Sequence, residues 1–122
     1  MNGKVYGRQP RIEVPLVLPD QRHLAVEFVI DTGFDGFLML PANAVTALGL
    51  PFLYRLDANL ADDRRKSAAV HGAIIVWNGQ EIDVQVLAMG KRPLLGTLLL
   101  EEYRLTIPFR DGEEVTIEPL GD

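Results

Sequence analysis

The chain has 122 residues, 48% of them apolar, which suits one core and a single domain over 1–122. Twelve basic residues against 17 acidic give a net charge of −5, the wrong sign for phosphate backbones, so no nucleic-acid partner is expected. No stretch approaches ~18 uninterrupted apolar residues and Met1 to Pro10 has no apolar leader, so no membrane partner is expected either. Strand patterns dominate the rest. Arg11 to Leu18 alternates, with Ile12, Val14 and Leu16 on one face. Pro19-Asp20 turns the chain and His23 to Ile30 returns. Phe37 to Leu40 is short and wholly apolar, as a buried strand is. Pro41 to Leu48 reads as a short helix, with proline in its first turn, Gly49 just past its end and Pro51 preventing continuation.

From Phe52 to Leu60 the alternation predicts a half-buried strand, and Ala61 to Lys66 forms a polar tip. A long strand runs from about Ser67 to Trp77. Asn78-Gly79 is the strongest hairpin signal in the chain, because both central positions of a type I′ turn need positive φ. Gln80 to Leu87 returns with Ile82, Val84 and Val86 inward, and Gly90-Lys91-Arg92 turns again. Pro93 to Gly96 is a short apolar strand closed by glycine, and Thr97 to Tyr103 fits a two-turn helix. Leu105 to Phe109, a turn at Asp111-Gly112 and Val115 to Leu120 make a terminal hairpin. The pattern predicts a mostly-β domain with two short helices, built as a barrel or a sandwich.

Scarcity narrows the chemistry. The chain has no cysteine, which removes disulfides, thiolate metal sites and cysteine nucleophiles and fits a cytoplasmic location. Its histidines are His23 and His71, with no HExxH, so no metal is expected. The single serine, Ser67, is not in a GxSxG elbow, and no nucleotide-binding glycine loop is present, so no cofactor is expected. Carboxylates are the best remaining candidates. His71 reads as a packed or surface residue, Trp77 as a core or cross-strand aromatic, and the Glu101-Glu102 and Glu113-Glu114 pairs as solvated faces.

The informative stretch is Phe28-Val29-Ile30-Asp31-Thr32-Gly33, an apolar strand running into an acid, a hydroxyl and a glycine. A carboxylate at the end of a buried strand is held rigidly and partly desolvated, which suits acid–base work. Gly33 lets backbone amides approach that carboxylate, and Thr32 supplies a short, stiff donor and acceptor. Asp and Gly after a strand are also ordinary turn residues, so the tripeptide alone leaves both readings open.

The order of features decides between them. Asp31-Thr32-Gly33 after an apolar strand, then a long hairpin, then Leu94-Leu95-Gly96, resembles the retropepsin-like, single-lobed aspartic proteases, and most of all their small prokaryotic members. The resemblance runs from Arg11 to Leu120. It implies a retropepsin-like closed antiparallel β-barrel in which Asp31 is catalytic and Thr32 and Gly33 form the active-site loop. It implies that Phe34 and Asp35 contact substrate, and that Asp62, Asp63 and Arg64 lie in a flap covering the cleft. One Asp-Thr-Gly per chain implies a homodimer acting on a peptide or protein substrate, with the two Asp31 carboxyls at a two-fold axis.

Three departures stand out. Phe34 occupies a place where the retroviral enzymes carry a small residue, and would crowd or reshape the substrate pocket. Thr97-Leu98 follows Gly96 where those enzymes carry an arginine, which leaves Asp35 without that partner. The tip has charge and no glycine. These leave room for a catalytically weak or inactive dimeric β-domain that binds a peptide or protein partner. A monomeric small-molecule-binding barrel, with Asp31 as a turn residue, is a third reading.

Overall fold

The structure, a computed structural model, describes residues 1–59 and 65–121. The first strand, β1 (Asn2–Tyr6), precedes the first element that the sequence predicts, at Arg11. Glycine is required at position 3, because a Cβ there would collide with the Arg11 carbonyl on the adjoining strand. β2 (Gln9–Val17) and β3 (His23–Ile30) follow as predicted, paired from Arg11↔Val29 to Val17↔His23. In the turn between them the Arg22 amide and guanidinium both donate to the Asp20 carboxylate and hold it below its usual range.

β4 (Leu38–Leu40) leads into α1 (Ala42–Leu48), which Gly49 ends in the left-handed region at φ 68°. β5 (Phe52–Asn59), β6 (Arg65–Trp77) and β7 (Gln80–Ala88) are successive antiparallel partners. β8 (Leu94–Leu95), β9 (Tyr103–Thr106) and β10 (Glu114–Pro119) complete the chain.

All ten strands belong to one sheet, ordered β5-β6-β7-β4-β8-β3-β2-β1-β10-β9. β6 also pairs with β2 through Leu16↔Ile75 and Val17↔Ile74, so six strands form a ring while β5, β1, β10 and β9 extend beyond it. The architecture is mostly β as predicted, but not the closed antiparallel barrel expected. The β3–β8 and β4–β7 pairings are parallel. Such pairings join segments far apart in sequence, and local periodicity carries no sign of them.

Three further expectations need correction. Thr97 to Tyr103 is not a helix, so α1 is the one helix among the described residues. Its amides bond three residues back, Leu99 to Gly96, Leu100 to Thr97 and Tyr103 to Leu100, and Glu102 takes φ 69°, which stops any helix. β9 ends at Thr106 and not at Phe109, because Pro108 has no N–H for the ladder. β5 is exposed on both faces from Phe52 to Asp57, not half-buried, because it is a terminal strand projecting past the core.

The core is continuous across the sheet, with Val5, Leu16, Phe28, Leu38, Ile75, Val86, Leu95 and Ile117 among its most buried members. Trp77 is buried and meets Tyr103 edge-on at 5.9 Å. No described helix is long and apolar enough to cross a membrane.

Burial fixes how the two phenylalanines near the strand ends should differ. Phe28→Ala, at 0% exposure, is expected to cost about 3–5 kcal/mol in urea denaturation. Phe109→Ala, at 69% exposure, should change stability by no more than about 0.5 kcal/mol. Equal losses would contradict this placement of the core.

Candidate active site

β3 is exposed where it begins and buried at Phe28 and Ile30, so its last residue delivers Asp31 from the core to the surface. β2 flanks the end of β3 on one side and β8 on the other, in the registers Arg11↔Val29 and Ile30↔Leu95. The Asp31 amide continues the second ladder by donating to the Leu95 carbonyl at 2.9 Å. The backbone carrying the carboxyl is thus held by a neighbouring strand and is no frayed end.

The loop then turns on the carboxylate itself. The Gly33 amide donates to Asp31 Oδ1 at 2.9 Å, and the Phe34 amide donates to the Asp31 carbonyl at 3.1 Å. A Cβ at Gly33 would lie 3.2 Å from Asp31 Oδ1, tighter than ordinary contact, so glycine lets this amide approach. Asp31 is half-buried, while Thr32 and Gly33 are exposed. The arrangement presents a carboxyl with one oxygen oriented by a backbone dipole, beside a surface hydroxyl.

Residues 34–37 are clasped to the chain after β8. The Gly96 amide donates to the Phe37 carbonyl at 2.9 Å and the Leu98 amide to the Gly36 carbonyl at 3.2 Å. Thr97 donates twice to the Phe34 carbonyl, from its amide at 2.8 Å and from its hydroxyl at 3.3 Å. Thr97 therefore ties down the loop without an arginine. Asp35 is exposed and forms no ion pair among the described residues.

Phe34 is half-buried and folds back over its own loop. A Cβ at Gly36 would come within 2.7 Å of its ring, and one at Gly96 within 2.7 Å of the ring and of the Phe34 carbonyl. Two glycines thus make the seat of the ring, a relationship that the spacing of 34, 36 and 96 does not reveal.

Two cavities flank the loop. One of about 560 Å³ is lined by Asp31 and Thr32 together with Arg8, Lys91 and Arg92. The sequence carries no sign of this gathering, because Lys91 and Arg92 read only as turn residues and Arg8 precedes the first predicted element. The other, about 170 Å³, lies between Phe34, Asp35 and Gly36 and the Tyr54 and Leu56 side chains of β5. A cavity larger than either, about 670 Å³, lies behind Phe37 near Leu53 and Asp83 and has none of residues 31–36 in its lining, so size alone does not locate the carboxyl.

The structure brings Asp31, Thr32, Gly33, Phe34 and Asp35 into one loop. Asp62, Asp63 and Arg64 lie outside the described residues, as does most of the expected flap tip; the outermost described pairing of its arms is Asn59↔Arg65. His71 is structural, with Nδ1 2.8 Å from the Leu50 carbonyl and its ring edge-on to Phe52. No group of three or more metal-ligating side chains occurs among the described residues.

The seat of Phe34 is testable by double-mutant cycles in urea. Gly36→Ala meets only the ring, so Phe34→Ala should relieve it, with a coupling of about 1–2 kcal/mol. Gly96→Ala also collides with the Gly36 carbonyl, so Phe34→Ala should leave most of its cost in place. Full relief of both by Phe34→Ala would show that the backbones do not approach as described.

No family model and no curated protein matches the sequence. Solved structures do match. A retropepsin-like aspartic protease from Rickettsia conorii aligns with a TM-score of 0.60 and 18% identity over 98% of this chain and 89% of that one. EIAV protease, in complex with the inhibitor HBY-793, aligns with a TM-score of 0.54 and 16% identity over 80% of this chain and 91% of that one. At these identities the likeness is one of architecture, and this chain has the fold of the retropepsin-like aspartic proteases.

Proposed function

We propose that the chain is a homodimeric aspartic endopeptidase, in which two Asp31 carboxyls, one from each protomer, direct water onto a peptide bond. One observation carries the reading. Asp31 stands at the mouth of a buried strand with Oδ1 held by the Gly33 amide, on a fold shared with one solved protein described as a retropepsin-like aspartic protease and another described as a protease. The chain supplies one such carboxyl, and the chemistry needs two, so the second comes from a two-fold-related copy.

In this scheme the ionised Asp31 takes a proton from water as the water oxygen bonds to the scissile carbonyl carbon. The partner's Asp31, protonated, donates its proton to the carbonyl oxygen. The tetrahedral intermediate then breaks its C–N bond. The proton taken from water passes to the leaving nitrogen, and a hydroxyl proton of the intermediate returns to the carboxyl pair. Gly33 orients one carboxyl oxygen throughout. Thr32, exposed beside it, reaches the partner's loop. Phe34 and Asp35 border the substrate, and the segment with Asp62, Asp63 and Arg64 covers it. A cysteine-free chain suits a cytoplasmic enzyme of this kind.

Sedimentation together with cleavage of a broad peptide library tests the reading. The wild type should dimerise and cleave. Asp31→Asn should lose at least about a hundredfold in activity while keeping its fold. A monomer at all concentrations would sink the proposal. A stable dimer that binds peptides but cleaves none would leave a peptide-binding β-domain in its place.

Thr32 gives a separate check on the dimer axis. Thr32→Ser should keep dimer affinity, whereas Thr32→Val should weaken it by about 1–3 kcal/mol, the cost of leaving a buried polar partner unpaired. Equal dimer affinity for Thr32→Val and wild type would remove the hydroxyl from the interface.

A further inference from the structure

The cavity beside Asp31 carries a charge opposite to that of the chain. The protein has a net charge of −5, yet Arg8, Lys91 and Arg92 stand on the wall of this cavity, and Asp31 is the only acid among the described residues lining it. All three cations are exposed, and among the described residues none has a carboxylate within ion-pair distance. They come from two turns about eighty positions apart in sequence. Arg8 follows Gly7 in the tight turn between β1 and β2, where both residues have positive φ, at 59° and 62°. Lys91 and Arg92 follow Gly90, at φ 84°, between β7 and β8. Antiparallel β2 puts the Arg8 turn at the end of β3, parallel β8 puts Lys91 and Arg92 alongside β3 ahead of the Val29↔Leu94 pair, and one cavity joins both turns to Asp31.

Much of the remaining wall is apolar, with Val29, Met39, Leu94 and Phe109 among its residues. An uncharged aliphatic side chain would cover that apolar part and leave three cations facing it unpaired. A lysine would be repelled. A side chain with an aliphatic stem and a terminal carboxylate satisfies both parts, since arginine pairs with carboxylate in a planar, two-bond geometry.

The geometry points to a polypeptide substrate that seats an acidic side chain in this cavity, next to the bond placed before Asp31. The inference rests on the peptidase reading and names the substrate class of that site. Glutamate fits best, its two methylenes on the apolar wall and its carboxylate among Arg8, Lys91 and Arg92.

The test uses peptide sets in which each position in turn is Glu, Gln or Lys. They are assayed for cleavage by the wild type and for binding to full-length Asp31→Asn by fluorescence anisotropy. At one position Glu should be favoured over Gln by about tenfold in both assays, and the advantage should shrink as salt is raised. The double variant Lys91→Glu/Arg92→Glu, which alters exposed turn residues and not the core, should shift the preference at that position towards Lys. Cleavage without a Glu preference would overturn this inference and leave the peptidase reading intact. Glu-selective binding without any cleavage would do the reverse. Equal binding of the Glu and Gln peptides, an unchanged ratio in the double variant, or no binding at all would each overturn the acidic-residue site.

Discussion

Two residues, Leu94 and Leu95, lie between β3 and β4 and hold the end of β3 in place. The Leu95 carbonyl receives the Asp31 amide, and the residue that follows, Gly96, is where the loop after Asp31 crosses closest. A side chain at 96 would push against the Gly36 carbonyl and so against the turn that orients the carboxylate. Thr97 and Leu98 then fasten the same loop from below. Position and orientation of one carboxyl thus follow from backbone pairing and close approach. This is rigid support of the kind that preorganised chemistry requires, and it needs no ion pair.

Around that rigid base the chain changes character. The sheet is packed on its core from β10 to β6, but β5 leaves it, with Phe52, Leu53, Tyr54 and Leu56 all largely exposed. An exposed apolar terminal strand is a surface that natural sheets usually blunt or cover. Tyr54 and Leu56 face the loop of Phe34 and Asp35 across a small cavity. The Tyr54 hydroxyl donates to Gln85 at 3.0 Å, which anchors the base of this arm to β7.

Phe34 shows how one residue's meaning depends on what packs against it. By its place after Asp31-Thr32-Gly33 it is expected to crowd or reshape a substrate pocket. In the structure its ring is turned onto Gly36 and Gly96, and it forms one wall of the small cavity beside the loop. The cations of the larger cavity show the same dependence at longer range. Their convergence on Asp31 is a product of strand order, since β2 and β8 share β3 as a neighbour.

Local pattern determined much by itself. The alternation of Ile12, Val14 and Leu16, the Asn78-Gly79 hairpin, the short helix stopped at Gly49, and the placement of Asp31 at the end of an apolar strand were all legible, because each depends on residues close in sequence. Order along the chain also carried the fold, since Asp31-Thr32-Gly33 and Leu94-Leu95-Gly96 stand at either end of a long hairpin. Tertiary structure decided the rest. It made Gly3 a close-packed strand residue, turned Thr97 to Glu102 into tight turns, exposed both faces of β5, introduced two parallel pairings and gathered Arg8, Lys91 and Arg92 beside Asp31. The turns of Thr97 to Glu102 rest on amides bonded three residues back, and Gly3 on the strand that begins six residues later. The parallel pairings and the gathering of the cations join segments tens of residues apart, and periodicity and turn propensity hold no record of such contacts.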